Sequence, residues 1–420
     1  MKMRVLPHVA ILLSLGVASH ARAEDPCHPS SGARNVGNFT PLTEQTDEIL
    51  SAFNDSGDTG SVKYVPGTSK KVCQLIGDVD FETGKPTTSQ TASRAGVFET
   101  DLGFSFEHDG KLYFLFGDTK PAAGVNRAVD EDAIASSNLG INPKNCIDLN
   151  FVKDQSDGAF RPAKIPGLNS LSYDVPVGGV SANGKMYVYF TTDHTDQKLM
   201  GRSVLGVSLN DGYSFHEVYD FSSDKFINVT PVKRDKKIYL FGSGSFRESD
   251  PYLSVVDESK FEKKGSLRYF AGLTPKNNKP KWSSKETDAK PLFDQPCLGE
   301  LSTNYDAALG KWIMLYNCDS NPGINMRTAT HPWGPWTSPQ VIFEPSRDQA
   351  VCKFVHREVD DTHPACDQMA SADDDGGSAY GPYMIPGLSE THGDTTTIYY
   401  TVSTWSPYTV ILMKTTLQRK

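Results

Sequence analysis

Apolar residues in this 420-residue chain occur mostly in short runs, without the spacing of a long amphipathic helix. One arrangement recurs, in which an apolar run enters, a polar turn follows and an aromatic-rich run leaves. It occurs at residues 103–117, 178–191, 230–243, 302–316 and 383–402. The turns Asp109-Gly110 and Asn183-Gly184 favour two-residue hairpin loops, because both central positions need positive φ. The pattern therefore predicts five β-hairpins in an all-β protein.

The spread of these hairpins along the chain predicts how the sheets are arranged. Five repeats suggest five sheets of about four strands each, placed radially as the blades of a five-bladed β-propeller. A two-layer sandwich could use the same strands, but it would not need one arrangement repeated in five places. In a propeller the innermost strand of each blade lines a central channel. Side chains at the mouth of that channel are therefore the candidates for a functional site.

The register expected in the first hairpin brings two acids together. If His108 faces Lys111 across the turn, Asp101 faces Asp118 farther along the strands. Directly opposed residues have Cβ atoms about 4.5–5.5 Å apart, so the two carboxyls repel and the pKa of one should rise. Glycosidases use such a pair as acid and base, whereas two solvated acids at strand ends would have no chemical role.

The N-terminus has the features of an export signal. Lys2 and Arg4 precede an apolar run, and Ala21-Arg22-Ala23 forms a small-x-small cleavage site. This predicts a signal peptide over residues 1–23, cut after Ala23. Residues 24–64 are polar and predict a loosely packed arm, which leaves 65–420 for the propeller.

Charge and hydropathy limit the class of partner. The mature chain would carry 39 basic and 51 acidic residues, a net charge of −12. An acidic surface argues against nucleic acid as a partner and fits a neutral polysaccharide better. No later stretch approaches about 18 uninterrupted apolar residues, so no membrane insertion is expected. The sequence predicts a secreted or periplasmic protein without a metal or other cofactor.

Seven cysteines follow the predicted cleavage site. In an oxidising compartment disulfides are expected, and an odd count leaves at least one thiol over. Cys352 and Cys366 are the closest pair in sequence, and Cys297 could meet Cys318 across a hairpin. Neither spacing is typical of a zinc site, so a structural role is predicted.

Several segments resemble one family of secreted propellers. They are GVFETDLGFSFEHDGKLYFLFGDT, GELSTNYDAALGKWIMLY, RTATHPWGPWTSPQVIF and the closing STWSPYTVILM. The family was long catalogued only as a domain of unknown function and is now associated with endo-D-arabinanases. The resemblance runs from about residue 90 to the C-terminus. It implies a five-bladed propeller that hydrolyses arabinofuranose polymers, and its first-blade acids fall on Asp101 and Asp118.

Roles for the acids follow as expectations. Asp101 is predicted to be the nucleophile or general base and Asp118 the general acid. Glu300 is a third candidate, because related furanosidase propellers use acids from different blades, and it would form a competing inverting pair with Asp101. The alternative for Glu300 is a buried salt bridge, for example to Arg327.

Sugar binding needs aromatic faces beside polar groups. The candidates are Asp174, Arg247, Tyr380, Tyr383, Trp405 and Tyr408. Asp174 is included because the same register count places it opposite Asp193 at the rim that holds the acid pair. For the aromatic residues the alternative is core packing, and for Arg247 it is a solvated surface position.

Three functions are compatible with this sequence. The leading interpretation is an exported glycoside hydrolase that cleaves within a furanose polysaccharide, and the family resemblance implies D-arabinan. A carbohydrate-binding propeller without activity is the second. A propeller that mediates protein contacts in an envelope assembly is the third. Retention of both opposed acids favours the hydrolase, because a lectin can tolerate the loss of Asp118.

Overall fold

The computed structural model describes residues 60–170, 172–195, 200–276, 278–318, 323–356, 379–405 and 407–420. The predicted signal peptide, Cys366 and nearly all of the predicted polar arm lie outside these residues. Two short N-terminal strands come first, β1 (Val62–Tyr64) and β2 (Lys70–Gln74). A single-turn helix, α1 (Thr91–Ala95), precedes the first blade.

Blades 1 and 2 are antiparallel sheets of four strands each. Blade 1 contains β3 (Val97–His108), β4 (Lys111–Pro121), β5 (Glu131–Asn138) and β6 (Asn150–Phe151). Blade 2 contains β7 (Pro176–Ala182), β8 (Lys185–Thr192), β9 (Arg202–Ser208) and β10 (His216–Ser222). In both blades each strand pairs with the next along the chain, which is the up-and-down order of a propeller blade.

Blades 3 and 4 repeat this order. Blade 3 contains β11 (Asn228–Arg234), β12 (Lys237–Ser243), β13 (Tyr252–Asp257), β14 (Arg268–Leu273) and β15 (Pro280–Ser283). Blade 4 contains β16 (Leu298–Asp306), β17 (Lys311–Cys318), β18 (Ile324–Ala329) and β19 (Gln340–Phe343). In the described part of the chain, four single-turn 3₁₀ helices lie in the connections, at Pro143–Asn145, Glu258–Lys260, Lys264–Ser266 and Glu286–Asp288.

Blade 5 joins the two ends of the propeller. Its C-terminal strands are β20 (Ala379–Met384), β21 (Glu390–His392), β22 (Thr395–Thr404) and β23 (Thr409–Arg419). The N-terminal β1 and β2 both pair with β23, so the outer edge of this blade comes from the start of the propeller. β1 therefore belongs to the propeller, although its residues were expected in the polar arm. Their pairing partner lies more than 350 positions away in the sequence, and no local pattern indicates it.

The five predicted hairpins form the two innermost strands of the five blades. The expected five-bladed all-β propeller is confirmed. The innermost strands β3, β7, β11, β16 and β20 contact one another around the axis. Five apolar clusters fill the spaces between neighbouring blades. Between blades 3 and 4, for example, Trp312 packs edge-on against Tyr239 with ring centroids 5.3 Å apart. Large aromatic side chains fill these wedge-shaped spaces, which explains the aromatic-rich second strands of the repeats.

The first hairpin departs from its predicted register near Asp101. Pairing follows the expected count from His108–Lys111 as far as Phe104–Leu115. A β-bulge then shifts it by one residue, so Asp101 faces Gly117, and the predicted opposition to Asp118 is wrong. The bulge is centred on Gly103, whose φ of +91° strongly favours glycine.

Candidate active site

A cavity of about 530 Å³ lies where the N-terminal parts of the five innermost strands meet. Each blade contributes to its wall: Asp101, Val177, Asn228, Glu300 and Tyr380 come from blades 1 to 5 in that order. Eight of the nine predicted site residues line it, namely Asp101, Asp118, Arg247, Glu300, Tyr380, Tyr383, Trp405 and Tyr408. A concave site with a few polar groups at the mouth of a channel is the expected place for a small-molecule or glycan ligand.

Asp101 is the deepest of the acids in this cavity. It lies on β3 directly before the bulge at Leu102-Gly103, and only 6% of its surface is exposed. Its Oδ2 atom accepts a hydrogen bond of 2.9 Å from the Tyr380 hydroxyl. The bulge, rather than the predicted pairing with Asp118, directs this carboxyl toward the propeller axis.

Asp118 reaches the same cavity from the neighbouring strand. Its backbone has a φ of +44°, and the β4–β5 register shifts between Phe116 and Thr119. The backbone N–H of Tyr173 donates to its Oδ1 over 3.2 Å, and the Tyr408 hydroxyl lies 3.5 Å from its Oδ2. The two acids therefore share one cavity, although they are not opposed in the sheet.

Burial and repulsion by a neighbouring carboxylate act on both carboxyls. Burial, followed by the charge of Asp118, raises the pKa of Asp101 well above its usual range, and the hydroxyls of Tyr408 and Tyr380 oppose that rise. Burial and the charge of Asp130 raise the pKa of Asp118 to about 7, against the Tyr173 N–H, which lowers it. The pair therefore holds a proton near neutral pH, which is the state that acid–base chemistry requires.

Glu300 is the third acid of the wall. Its Oε2 atom lies 3.7 Å from an Arg247 guanidinium nitrogen, an ion pair too long for a hydrogen bond. The suggested bridge to Arg327 is wrong, because that guanidinium binds Tyr316, Gln295 and the carbonyl oxygen of Thr337. Glu300 also contributes to the raised pKa of Asp101, so the two acids interact electrostatically.

The predicted aromatic residues divide by exposure. Tyr380, Tyr383 and Tyr408 are buried, with less than 9% of their surface accessible. Trp405 is 41% exposed and packs edge-on against Tyr408 with ring centroids 5.1 Å apart. Tyr383 also packs against Phe104, so it combines a place in the wall with core packing. Trp405 is the one of these four that is exposed.

Asp174 does not line the cavity, and its expected pairing with Asp193 is wrong. A second bulge lies between Pro176 and Gly178, and β7 begins only after Asp174. Asp174 is instead fully buried and accepts two hydrogen bonds from His194, one from Nδ1 at 2.5 Å and one from the backbone N–H at 3.1 Å.

Sequence reasoning missed several polar residues of this region, and three of them lie close to the acid pair. His194 and Asp130 line the cavity, and Asp132 lies buried behind it. Burial and the charge of Asp118 raise the pKa of Asp132 well above its usual range. His194 lies ten positions after Gly184 of the second turn, whereas Asp118 lies eight positions after Gly110 of the first, so the spacing of the repeats does not indicate His194. Asp132 lies on the third strand, β5, and Asp130 lies in the turn directly before it, which the hairpin pattern did not address.

Within the described residues, two disulfides stabilise the blades beside the site. Cys297–Cys318 confirms the predicted pairing and joins the start of β16, which carries Glu300, to the end of β17. Cys73–Cys146 joins blade 5 to the connection before β6. No helix in the described part of the chain is both long and apolar enough to cross a membrane.

Three solved structures illustrate what this chain is similar to. The structure is similar to that of a Bacteroides ovatus protein described as a "putative hydrolase", with 13% sequence identity, 77% of this chain and 87% of that chain covered, and a TM-score of 0.51. A GH43_1 enzyme from Xanthomonas citri matches at 13% identity over 77% of this chain and 91% of that one, with a TM-score of 0.43. Zg3597, a family 117 glycoside hydrolase of Zobellia galactanivorans, matches at 12% identity over 86% of this chain and 90% of that one, with a TM-score of 0.41.

The sequence itself identifies the family. No protein with a curated description matches the chain. The profile of one family matches residues 87–414, which include the whole cavity wall. The expected resemblance to a family catalogued as a domain of unknown function is thereby confirmed. This chain belongs to the family described as Domain of unknown function (DUF4185).

Proposed function

We propose that this protein is an exported glycoside hydrolase that cleaves arabinofuranosidic linkages within a polysaccharide, D-arabinan being the expected substrate. One observation carries the proposal: Asp101 and Asp118 share a cavity on the propeller axis, and both have raised pKa values there. Glycoside hydrolysis needs one carboxyl that donates a proton and one that attacks or activates water. The choice of D-arabinan rests on the family resemblance in the sequence.

The surroundings of the two acids support a division of roles. Asp101 accepts a hydrogen bond from Tyr380, and donors of this kind favour the ionised form of a carboxyl. The charge of Asp118 is one cause of the raised pKa of Asp101, so protonation of Asp118 removes that repulsion and favours the ionised form of Asp101. Asp101 is therefore proposed as the nucleophile, its carboxylate oxygen forming a bond to the anomeric carbon. Asp118, with a pKa raised to about 7, gives its proton to the departing glycosidic oxygen. Asp118 then takes a proton from the water that releases the sugar from Asp101.

An inverting mechanism with Asp101 as base and Glu300 as acid is the competing assignment. This assignment is supported by the position of Glu300 in the same cavity wall and by its electrostatic interaction with Asp101. The anomeric configuration of the first product distinguishes the two: retention supports the Asp101–Asp118 pair, and inversion supports Asp101 with Glu300. The variant Glu300→Gln should then abolish hydrolysis only in the inverting case.

The substrate class is tested with a panel. Purified protein is incubated with D-arabinan, L-arabinan, xylan and galactan, and the products are separated by size. Release of intermediate oligosaccharides from D-arabinan alone is the expected result, because it indicates cleavage within the chain. Binding of a glycan without cleavage would replace the hydrolase with the lectin-like alternative. Exclusive release of single sugars would contradict cleavage within the chain.

A further inference from the structure

One polar atom in the cavity wall has no part in the chemistry proposed above. It is Nε2 of His194, which is buried and has no hydrogen-bond partner among the described residues. The His194 side chain is only 3% exposed, yet the residue lines the cavity. A buried nitrogen without a partner has lost its hydrogen bonds to water without replacement, so such atoms in native proteins need a reason.

Asp174 determines which nitrogen of His194 faces the cavity. The same oxygen, Oδ1 of Asp174, accepts the backbone N–H of His194 at 3.1 Å and lies 2.5 Å from its Nδ1. This Asp174 oxygen already accepts a hydrogen bond from the backbone N–H, so we treat it as the acceptor for the ring as well. The ring hydrogen is therefore assigned to Nδ1. The Asp174 side chain is completely buried, which fixes the imidazole in one orientation. Nε2 is thereby left to point away from Asp174.

The backbone at His194 is also held in place. The Thr192 hydroxyl donates to the carbonyl oxygen of Asn169 at 3.0 Å. The preceding residue, Asp193, has a φ of +65° and accepts hydrogen bonds of 2.9 Å from both Asn169 and Arg202. A strained backbone that several contacts maintain is typical of functional positions.

His194 is linked to the acid pair through Tyr173. The Tyr173 ring lies beside the His194 ring with centroids 6.1 Å apart, and the Tyr173 N–H donates to Asp118. His194 and Asp118 therefore occupy the same side of the cavity. A sugar whose linkage reaches Asp118 would present its ring hydroxyls to this side.

We propose that His194 is a substrate-binding residue whose Nε2 forms a hydrogen bond with a sugar ring hydroxyl, and that Asp174 is the positioning residue that orients it. This assignment rests on the proposed glycoside hydrolase function. A hydroxyl both donates and accepts, so it matches Nε2 in either protonation state of the imidazole. The ligand would satisfy the one ring nitrogen that the described residues leave unpaired.

Binding to a form that cannot cleave provides the test. An Asp101→Asn variant is titrated with a D-arabinan oligosaccharide in a calorimeter, alone and combined with His194→Ala or Asp174→Asn. Each added substitution is expected to weaken binding about tenfold, the loss typical of one hydrogen bond in a buried site. His194→Gln should lose less, because its amide can still bond to a hydroxyl. Adding His216→Ala, which changes an exposed histidine on β10, should leave binding unchanged.

Steady-state kinetics separate binding from structural damage. With Asp101 intact, His194→Ala and Asp174→Asn should raise KM about tenfold with a smaller change in kcat, and thermal unfolding should show that both variants fold. Unchanged glycan affinity in folded His194→Ala would overturn the assignment while leaving the hydrolase proposal standing. If wild type neither binds nor cleaves any glycan of the panel, both proposals are wrong.

Discussion

At the scale of single residues, the site is a group of acids whose protonation depends on a few neighbouring donors. Asp101 is almost completely buried, and the Tyr380 hydroxyl is one of two donors that oppose the rise in its pKa. Asp118 is less buried and receives the Tyr173 N–H. The roles proposed for the two carboxyls depend on these contacts rather than on their distance from the turn.

Removing the Tyr380 hydroxyl should shift the pH dependence of activity. In Tyr380→Phe, Asp101 loses a donor to its ionised form, so its pKa rises further. Because Asp101 acts in the ionised form, the acidic limb of the kcat/KM profile should move to higher pH, and activity near neutral pH should fall about tenfold. Tyr399→Phe, which changes a hydroxyl that binds Glu390 away from the cavity, is the control. An unshifted acidic limb in Tyr380→Phe would contradict the role given to Asp101.

Stability should also depend on pH through Asp118. Its pKa in the folded protein, about 7, exceeds the ordinary value of 3.8, so the folded state binds this proton more tightly than the unfolded chain. The resulting stabilisation is complete below pH 3.8 and is lost as the pH rises through about 7. Asp118→Asn should therefore raise the free energy of unfolding at pH 8 by about 2–4 kcal/mol and have little effect at pH 4.

Denaturant unfolding at the two pH values checks this expectation. Asp109→Asn, which changes an exposed acid in the turn of the same hairpin, serves as the matched control and should have no such pH-dependent effect. Equal stability of wild type and Asp118→Asn at pH 8 would mean that the folded protein does not disfavour the ionised form of Asp118.

At the scale of elements, the hairpins were predictable and their irregularities were not. Asp109-Gly110 and Asn183-Gly184 favour two-residue turns because these residues accept positive φ. That preference depends on residue type alone, so it can be recognised in the sequence. The bulge at Gly103 lies against blade 5, where Val410 and Thr401 leave little room for a Cβ. Such long-range contacts leave no local pattern. For this reason the sequence selected Asp101 and Asp118 correctly as cavity residues but gave them the wrong pairing.

The bulge itself can be tested by substitution. A Cβ at Gly103 would lie 3.2 Å from Val410 and 3.3 Å from Thr401, in addition to the strain of a φ of +91°. Gly103→Ala should therefore reduce the free energy of unfolding by about 2–4 kcal/mol and reduce activity by displacing Asp101. Gly110→Ala shares the positive φ but meets nothing within 4 Å, so it should cost only about 1–2 kcal/mol and retain activity. Equal losses in the two variants would show that the bulge has no special role.

At the scale of the whole molecule, the ring is closed by strands from both ends of the propeller. β1 and β2 pair with β23, and Cys73–Cys146 fastens β2 of blade 5 to blade 1. The Ser69 hydroxyl also donates to the carbonyl oxygen of Ile342 in blade 4. The sequence indicated neither the closing strands nor this disulfide, because their partners are distant along the chain. Closure matters for the site because all five blades contribute to its wall.

A charge placed in the closing strand should open this ring. Val62 is only 2% exposed and packs into the cluster between blades 4 and 5. Val62→Asp would bury an unpaired carboxylate, and it should reduce the free energy of unfolding by about 3 kcal/mol or more. Val129→Asp changes a residue that is 61% exposed and should have almost no effect. If Val62→Asp were as stable as wild type in denaturant unfolding, β1 would not be needed for closure.

The central claim is that the two acids on the propeller axis hydrolyse a glycan. The most direct measurement is the rate at which reducing ends appear from D-arabinan with wild type, Asp101→Asn, Asp118→Asn and the turn control Asp109→Asn. The account predicts release by wild type and Asp109→Asn, and at least about a hundredfold slower release by each of the other two variants, because either loss removes acid–base or nucleophilic chemistry. Release at the wild-type rate by either folded cavity variant would contradict it.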